Sequence, residues 1–379
     1  MLFNTRNFKK KNFFFDINSK YSITKFFTTS KYKTYIVLID LFENNICAET
    51  ELILRFKIAC EKINVGTICI SPYGYITSNG PLKNISILQV DPKYITCIIA
   101  THHTCKKILG HYTLLPLWNP VIYMEKSTNF ITTFDGYLSS HSSLIDNYIK
   151  SLTSKTPIGY LTTSICEPLL DFSFGQYKCF YIGTNWDRNF KVKVNESLKQ
   201  ISSQRDKIIN LIKKMDDSEL INIYGLEGRW NGFKSYIKPI PFDGVSVVYE
   251  IQKCGICLCF STENHINSEV CSMRIFEGIA AGVPLICDKN PFYMKWFGDN
   301  LFYIDTDDSD ECFEQIKNYI EYFKNNNQEV LTKISNCRDI FNEHFRLDKQ
   351  FQQIITNIHQ NKKENKKLSN NRHRLQLQF

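Results

Sequence analysis

Two glutamates, Glu269 and Glu277, stand eight positions apart in SEVCSMRIFEGIAAGVPLICD, with Arg274 between them. The stretch is patterned as a polar loop, a short helix and a buried strand, so the two acids fall on different elements. Glu269 stays in the loop, while Glu277 sits about five residues into a helix starting near Ser272, roughly 7 to 8 Å along its axis. One carboxylate can accept from two neighbouring hydroxyls, so acids at this separation suit two hydroxyl-bearing parts of one ligand. Acids also favour the positive end of a helix dipole, which is the structural role open to them. A second group, Arg188, Lys191 and Lys193 in YIGTNWDRNFKVK, follows a strand-like run and offers one rigid fork and two point charges for phosphate. His102 and His103 close the run IIATHH, and His265 follows ICLCFS. Cations and helix amino-termini that stabilise a departing diphosphate, together with carboxylates for sugar hydroxyls, are what cleavage of a nucleotide-sugar bond requires.

Such residues need strand ends to stand on. Continuous apolar runs rich in β-branched residues (TYIVLID, TICIS, ISILQV, YITCIIATHH) alternate with helical segments such as AETELILRFKIACEKIN, where Leu52, Phe56, Ala59 and Ile63 share a face. The pattern lapses near 165–176 and a second series begins at KCFYIGTNW: a helix over about 196–214, the strand LINIYG, a helix opening at Asp243, the strand ICLCFS, the glutamate helix, VPLICD and LFYID. The expected fold is α/β, two tandem Rossmann-like doubly wound domains with a cleft between facing strand ends. The boundaries are a basic tail over 1–34, domains over 35–170 and 175–335, a helix over 336–360 packing back on the first domain, and a basic tail over 361–379.

The formal charge of +8 lies in the ends: residues 1–34 hold eight Lys/Arg against Asp16, and 361–379 hold six against Glu364. Removing these 14 basic and 2 acidic residues from totals of 46 and 38 leaves 32 against 36, a body of −4, which argues against a nucleic-acid partner. The tails have the composition of disordered arms, or of arms that touch anionic lipid where lysines interleave with aromatics. Nothing approaches a membrane span or a secretory signal, so the expected location is cytoplasmic, peripheral at the inner face of the membrane at most. The 14 cysteines are scattered through apolar runs and are expected to be reduced. Cys254, Cys257 and Cys259 lack a second CxxC and read as buried small residues rather than a zinc site. GxGxxG, GxxxxGK, GxSxG and HExxH are all absent.

The E-x7-E stretch resembles that of retaining glycosyltransferases of the GT-B fold, and MRIFEGIAAGVPLICD resembles the C-terminal domain of the glycosyl transferases group 1 superfamily, in the branch shared with spore-maturation-type proteins. YIGTNWDR, YGLEGRWNGFKSYIKPIPFDG and FGDNLFYIDT extend the likeness over about 179–320; over 35–165 it rests on the sheet pattern, AETELILRF and LLPLWNP. The resemblance implies that Glu277 binds the ribose, Glu269 the transferred sugar, and Arg188 with Lys193 the diphosphate, Lys191 being a substitute for Lys193. It places His102 or His103 near the donor sugar, and matches Arg274 to the motif, where a salt bridge along the helix is the alternative. His265, at its strand end, joins the donor-binding candidates. The implied reaction is transfer of a sugar from a nucleotide-diphosphate sugar to a glycan, lipid or protein acceptor, with retention and without a metal or other cofactor, in cell-envelope glycan synthesis. The DxD within IDTDD reads as helix capping. Relatives carry a glycine pair after the first strand; DLFENNICAE has none. That departure keeps a noncatalytic sugar-binding or membrane-scaffold protein in view, and the fold also serves sugar-nucleotide epimerases.

Overall fold

The computed structural model describes residues 17–42, 45, 47–183, 190–194, 197–201, 205–305 and 307–376, with side chains within 20–183 and 208–364 of these. Six strands form the first sheet: β1 (Tyr35–Ile39), β2 (Gly66–Ile70), β3 (Cys97–Ala100), β4 (Thr113–Leu117), β5 (Gly136–Ser139) and β6 (Pro157–Tyr160). Their order is β2-β1-β3-β4-β5-β6, every pair parallel. Parallel strands covered on both faces need unbroken apolar runs, and β1, β3 and β4 are buried at every position. The second sheet takes β7 (Lys178–Ile182), β10 (Ile221–Tyr224), β11 (Tyr236–Lys238), β12 (Gly255–Cys259), β13 (Leu285–Cys287) and β14 (Phe302–Tyr303) in the order β11-β10-β7-β12-β13-β14, again parallel. Between β7 and β10, β8 (Phe190–Val194) and β9 (Ser197–Ile201) pair as an antiparallel hairpin.

The helices that position the site are α1 (Ile17–Thr29), α2 (Ala48–Lys62), α3 (Ser143–Leu152), α4 (Arg205–Asp217), α5 (Ser246–Cys254), α6 (Glu263–Asn267), α7 (Arg274–Ala281), α8 (Pro291–Phe297), α9 (Ser309–Asn325), α10 (Asn327–Ile340) and α11 (Leu347–Gln376). Small residues let α7 lie close on its sheet: a Cβ at Gly278 would meet Leu285 at 2.7 Å and Cys257 at 3.1 Å. Gly282 ends the helix at φ +71°, the left-handed conformation glycine adopts at no steric cost. Asp308 caps α9 by accepting from the backbone N–H of Asp310 (2.7 Å) and Glu311 (3.0 Å).

Several elements depart from the sequence expectation. The N-terminal segment is not wholly an arm: α1 buries Ile23 and Phe27 in the first domain, Phe27 stacking on Tyr94 at 4.6 Å. Hydrophobic anchors outweigh the basic composition there. The helix expected over 196–214 starts only at Arg205, since β9 takes 197–201. The closing helix is two helices, because a π-turn at Phe341–Phe345 and the extended Arg346 separate α10 from α11. α11 crosses to the first domain, where Leu347, Phe351, Ile354 and Ile358 join Phe56, Leu138 and Leu161 in one core. It continues to Gln376 through the segment composed like a disordered tail. Once its first turns are anchored, each further residue adds a hydrogen bond cheaply, and Lys, Gln and Arg are good helix formers.

Candidate active site between the two sheets

The carboxyl ends of the two sheets face each other across a cavity of about 260 Å³. Thr101 and His102 follow β3, Trp118 and Asn119 follow β4, and Ser261 and Thr262 follow β12 on the other side; Glu49, Thr163, His265 and Ser272 add to the polar lining. His102 Nδ1 accepts from the backbone N–H of Thr104 (3.3 Å), which leaves Nε2 as the N–H of the neutral ring. Burial, with His103 beside it at a ring separation of 4.1 Å, pushes the His102 pKa down to about 4. Burial also lowers His103 and His265. All three imidazoles are therefore neutral near pH 7 and act as hydrogen-bonding groups, not cations. His265 Nδ1 pairs with Thr262 Oγ1 at 2.6 Å.

Behind this cavity lies a buried charge network that joins the domains. Glu277 Oε1 accepts from Arg55 Nη2 of α2 at 2.6 Å, and Oε2 accepts from Arg274 Nη1 one turn earlier on α7. The same Arg55 Nη2 reaches Glu51 Oε1 at 3.1 Å, and its Nε donates to the Gly244 carbonyl at 3.2 Å. Glu51 Oε1 in turn accepts from the Gly244 N–H at 3.2 Å. The Arg55 and Glu277 side chains are 1% and 2% exposed. Burial alone would raise the Glu277 carboxyl; the Arg274 and Arg55 guanidiniums outweigh it and hold the group below its usual range. Glu51, with burial dominant and Glu277 nearby, is raised.

Glu269 sits at the opposite end of the motif at φ +52°, in a loop stitched to the first domain. Its Oε2 accepts from the backbone N–H (3.2 Å) and Oγ (2.9 Å) of Ser143, at the start of α3. The adjoining Ser268 carbonyl accepts from Ser142 Oγ at 2.7 Å, and Ser268 Oγ from the Val121 N–H at 3.2 Å. The carboxylate thus meets the positive end of a helix from the other domain.

Residues 205–356 match the family described as Glycosyl transferase-like. The fold is also that of HepE from Anabaena, solved with UDP-glucose: the TM-score is 0.51 at 13% identity, covering 86% of this chain and 99% of that one. An alpha-glucosyltransferase solved with UDP and a DNA containing an HMU base superposes at a TM-score of 0.57 and 8% identity, covering 86% of this chain and all (100%) of its own. No curated protein is similar to the chain in sequence. The chain has the two-domain GT-B fold, and the part of it over 205–356 is glycosyl transferase-like.

Within this fold the anticipated residues fall unevenly. His102 and His265 line the inter-sheet cavity, while His103 is turned aside toward Asn119. Glu269, Arg274 and Glu277 gather at the domain boundary, but Glu277 lies behind the cavity wall with both oxygens engaged by guanidinium groups. Arg274 makes the salt bridge along the helix and stacks over Phe180 at 5.5 Å. Lys191 and Lys193 stand on β8, described as backbone only, and Arg188 lies outside the described residues. Glu51 and Arg55 belong to none of the motifs in the sequence. Their signal is an i, i+4 acid–base pair at the edge of the apolar stripe of AETELILRF, where Arg55 follows Leu52 by three positions and is buried with it. The DxD of 305–307 precedes the cap of α9, and among the described residues no group of three or more His, Cys, Asp or Glu is arranged to hold a metal ion. Among them also, no helix is long and apolar enough to cross a membrane. All 14 cysteines are free thiols, and burial raises Cys257 and Cys259 far above their usual range.

Proposed function

We propose that this protein is a glycosyltransferase that moves a sugar from a nucleoside-diphosphate sugar to an acceptor with retention of anomeric configuration and without a metal ion. The observation that carries the reading is the cavity of about 260 Å³ between opposed strand ends, lined by His102, Thr262, His265 and Ser272 and abutting the E-x7-E loop. HepE with UDP-glucose and the alpha-glucosyltransferase with UDP, on the same fold, support a donor of this class. Glu277 is assigned to the donor ribose; a ribose diol reaches it by taking the place of the Arg55 guanidinium on Oε1. Glu269 is assigned to the sugar hydroxyls, Arg188 with Lys193 or Lys191 to the diphosphate, and the neutral His102 Nε2–H to an oxygen of the sugar.

In this reading the bond from the anomeric carbon to the phosphate oxygen breaks first, its electron pair leaving with the diphosphate through an oxocarbenium-like transition state. The acceptor hydroxyl then bonds to the anomeric carbon on the face the diphosphate left, and its proton passes to the departing phosphate oxygen. No separate base is needed. The protein works in the cytoplasm or at the inner membrane face.

Proton NMR of the product formed by purified protein tests this: the donor's anomeric configuration is kept, and excess EDTA leaves turnover unchanged. An inverted product, or loss of turnover to EDTA that magnesium restores, would refute it. The doubly engaged Glu277 and the glycine-free DLFENNICAE favour a noncatalytic sugar-nucleotide binder as the second reading; donor binding with neither transfer nor hydrolysis would establish that one.

A further inference from the structure

A second cavity, about 760 Å³, lies further along the same interdomain cleft. Its volume is within the range of roughly 300–1,000 Å³ usual for small-molecule sites. The first domain contributes His141, Ser143 and Asp146 after β5 and Tyr160 at the end of β6, while Trp296 of α8 and Gln353 of α11 face them. His141 stacks flat on Tyr160, with ring centres 4.1 Å apart and planes 4° from parallel, and Trp296 meets His141 edge-on at 4.9 Å. Three rings therefore make one apolar corner in an otherwise polar wall.

The same three sides carry unmet hydrogen-bonding capacity. Trp296 Nε1, His141 Nε2 and Asp146 Oδ1 are covered yet have no hydrogen-bond partner among the described residues. Buried polar groups are nearly always paired, so three such atoms on residues of one cavity require an explanation. They comprise an N–H donor, a carboxylate acceptor and an imidazole nitrogen, and burial holds that imidazole neutral by pushing it down to about 4. A ligand rich in hydroxyls supplies both donors and acceptors, and the C–H faces of a pyranose suit aromatic rings.

Ser143 places the cavity in the reaction. It lines the cavity, and its N–H and Oγ hold Glu269, the acid assigned to the donor sugar. Resting on the glycosyl-transfer reading, we propose that this cavity binds the acceptor and that the acceptor is a carbohydrate chain, its terminal sugar packed against Tyr160 and Trp296 with its hydroxyls directed to Asp146 and Gln353. A lipid chain would find three polar orphans and charged walls there, which disfavours it.

The test is saturation-transfer NMR on the full chain with malto-, cello- and chito-oligosaccharides of three to six units, beside vesicles of anionic lipid and a Ser/Thr-rich peptide. At least one oligosaccharide series binds the wild type, and Tyr160→Ala and Gln353→Ala each weaken that binding at least ten-fold. Both side chains are solvent-exposed, so folding is preserved and an unchanged Tm verifies it. In a transfer assay the same variants raise the acceptor KM, and the donor Kd stays within two-fold. Donor binding without binding of any oligosaccharide, acceptor KM values unmoved by both variants, or transfer to the peptide or lipid alone would overturn the carbohydrate site while leaving the donor reading intact. Absence of donor binding would instead strike the reading on which it rests.

Discussion

At the scale of single residues, the arrangement turns on one carboxylate held by two guanidiniums. Glu277 stays ionised although it is buried, because Arg274 and Arg55 lie within hydrogen-bond reach. Taking away one partner leaves a buried charge under-compensated, a change that costs about 3 to 5 kcal/mol in comparable pairs. Arg55→Leu is therefore expected to lower unfolding free energy by about that amount, whereas Lys62→Leu, which breaks an exposed pair with Glu167, is expected to cost under about 1 kcal/mol. Denaturant titration of the two variants checks this, and equal costs would contradict it. Arg55 was hard to find from the sequence because its role depends on a residue 222 positions away. Glu269 and Glu277 were legible because their spacing precedes a recognisable small-residue helix and strand. The structure turns His102, not His103, to the cavity; the doublet alone could not separate them, since that choice depends on backbone geometry after β3.

Among the elements, the parallel strands were the most legible, since burial on both faces forces continuous apolar runs such as IVLI and CIIA. Short-range features were less so. The π-turn at Phe341–Phe345 leaves no periodicity break, as both phenylalanines remain buried in one core. The N-terminal helix was hidden by its lysines, yet Ile23 and Phe27 dock into the first domain. Burying an apolar side chain contributes roughly 1.5–3 kcal/mol, so deleting residues 1–30 removes about 3–6 kcal/mol. A melting curve should show a clear drop in Tm for that truncation. Lys20→Ala, at an exposed position of the same helix, is expected to leave Tm unchanged, so a similar drop in both would contradict the docking of α1.

For the whole molecule, the cleft sets how stability responds to acid. His102 and His141 both border it, and burial pushes each from an ordinary value near 6.5 down to about 4. Between those values the unfolded chain binds protons that the folded chain refuses, so stability falls as pH drops from 6.5 toward 4, by up to roughly 3 kcal/mol for each histidine. Urea unfolding at pH 7.0, 5.5 and 4.5 reads this loss. His141→Asn, which keeps a side chain tolerant of the φ of +68°, should flatten it, and an unchanged slope in that variant would be inconsistent with a neutral buried imidazole. The two-sheet architecture and its cleft were the part of the molecule most fully written in the sequence, because they follow from strand–helix alternation alone. Which side chains meet across the cleft was not, since pairs such as Glu277 with Arg55 and Glu269 with Ser143 exist only once the domains are packed. The most direct measurement is calorimetric titration of wild type and Glu277→Ala with uridine, guanosine and adenosine diphosphate sugars. One nucleotide class is expected to bind the wild type, and the variant to lose at least a hundred-fold in affinity; a variant that binds the same donor equally well, or a wild type that binds none, would contradict the assignment of Glu277 to the donor.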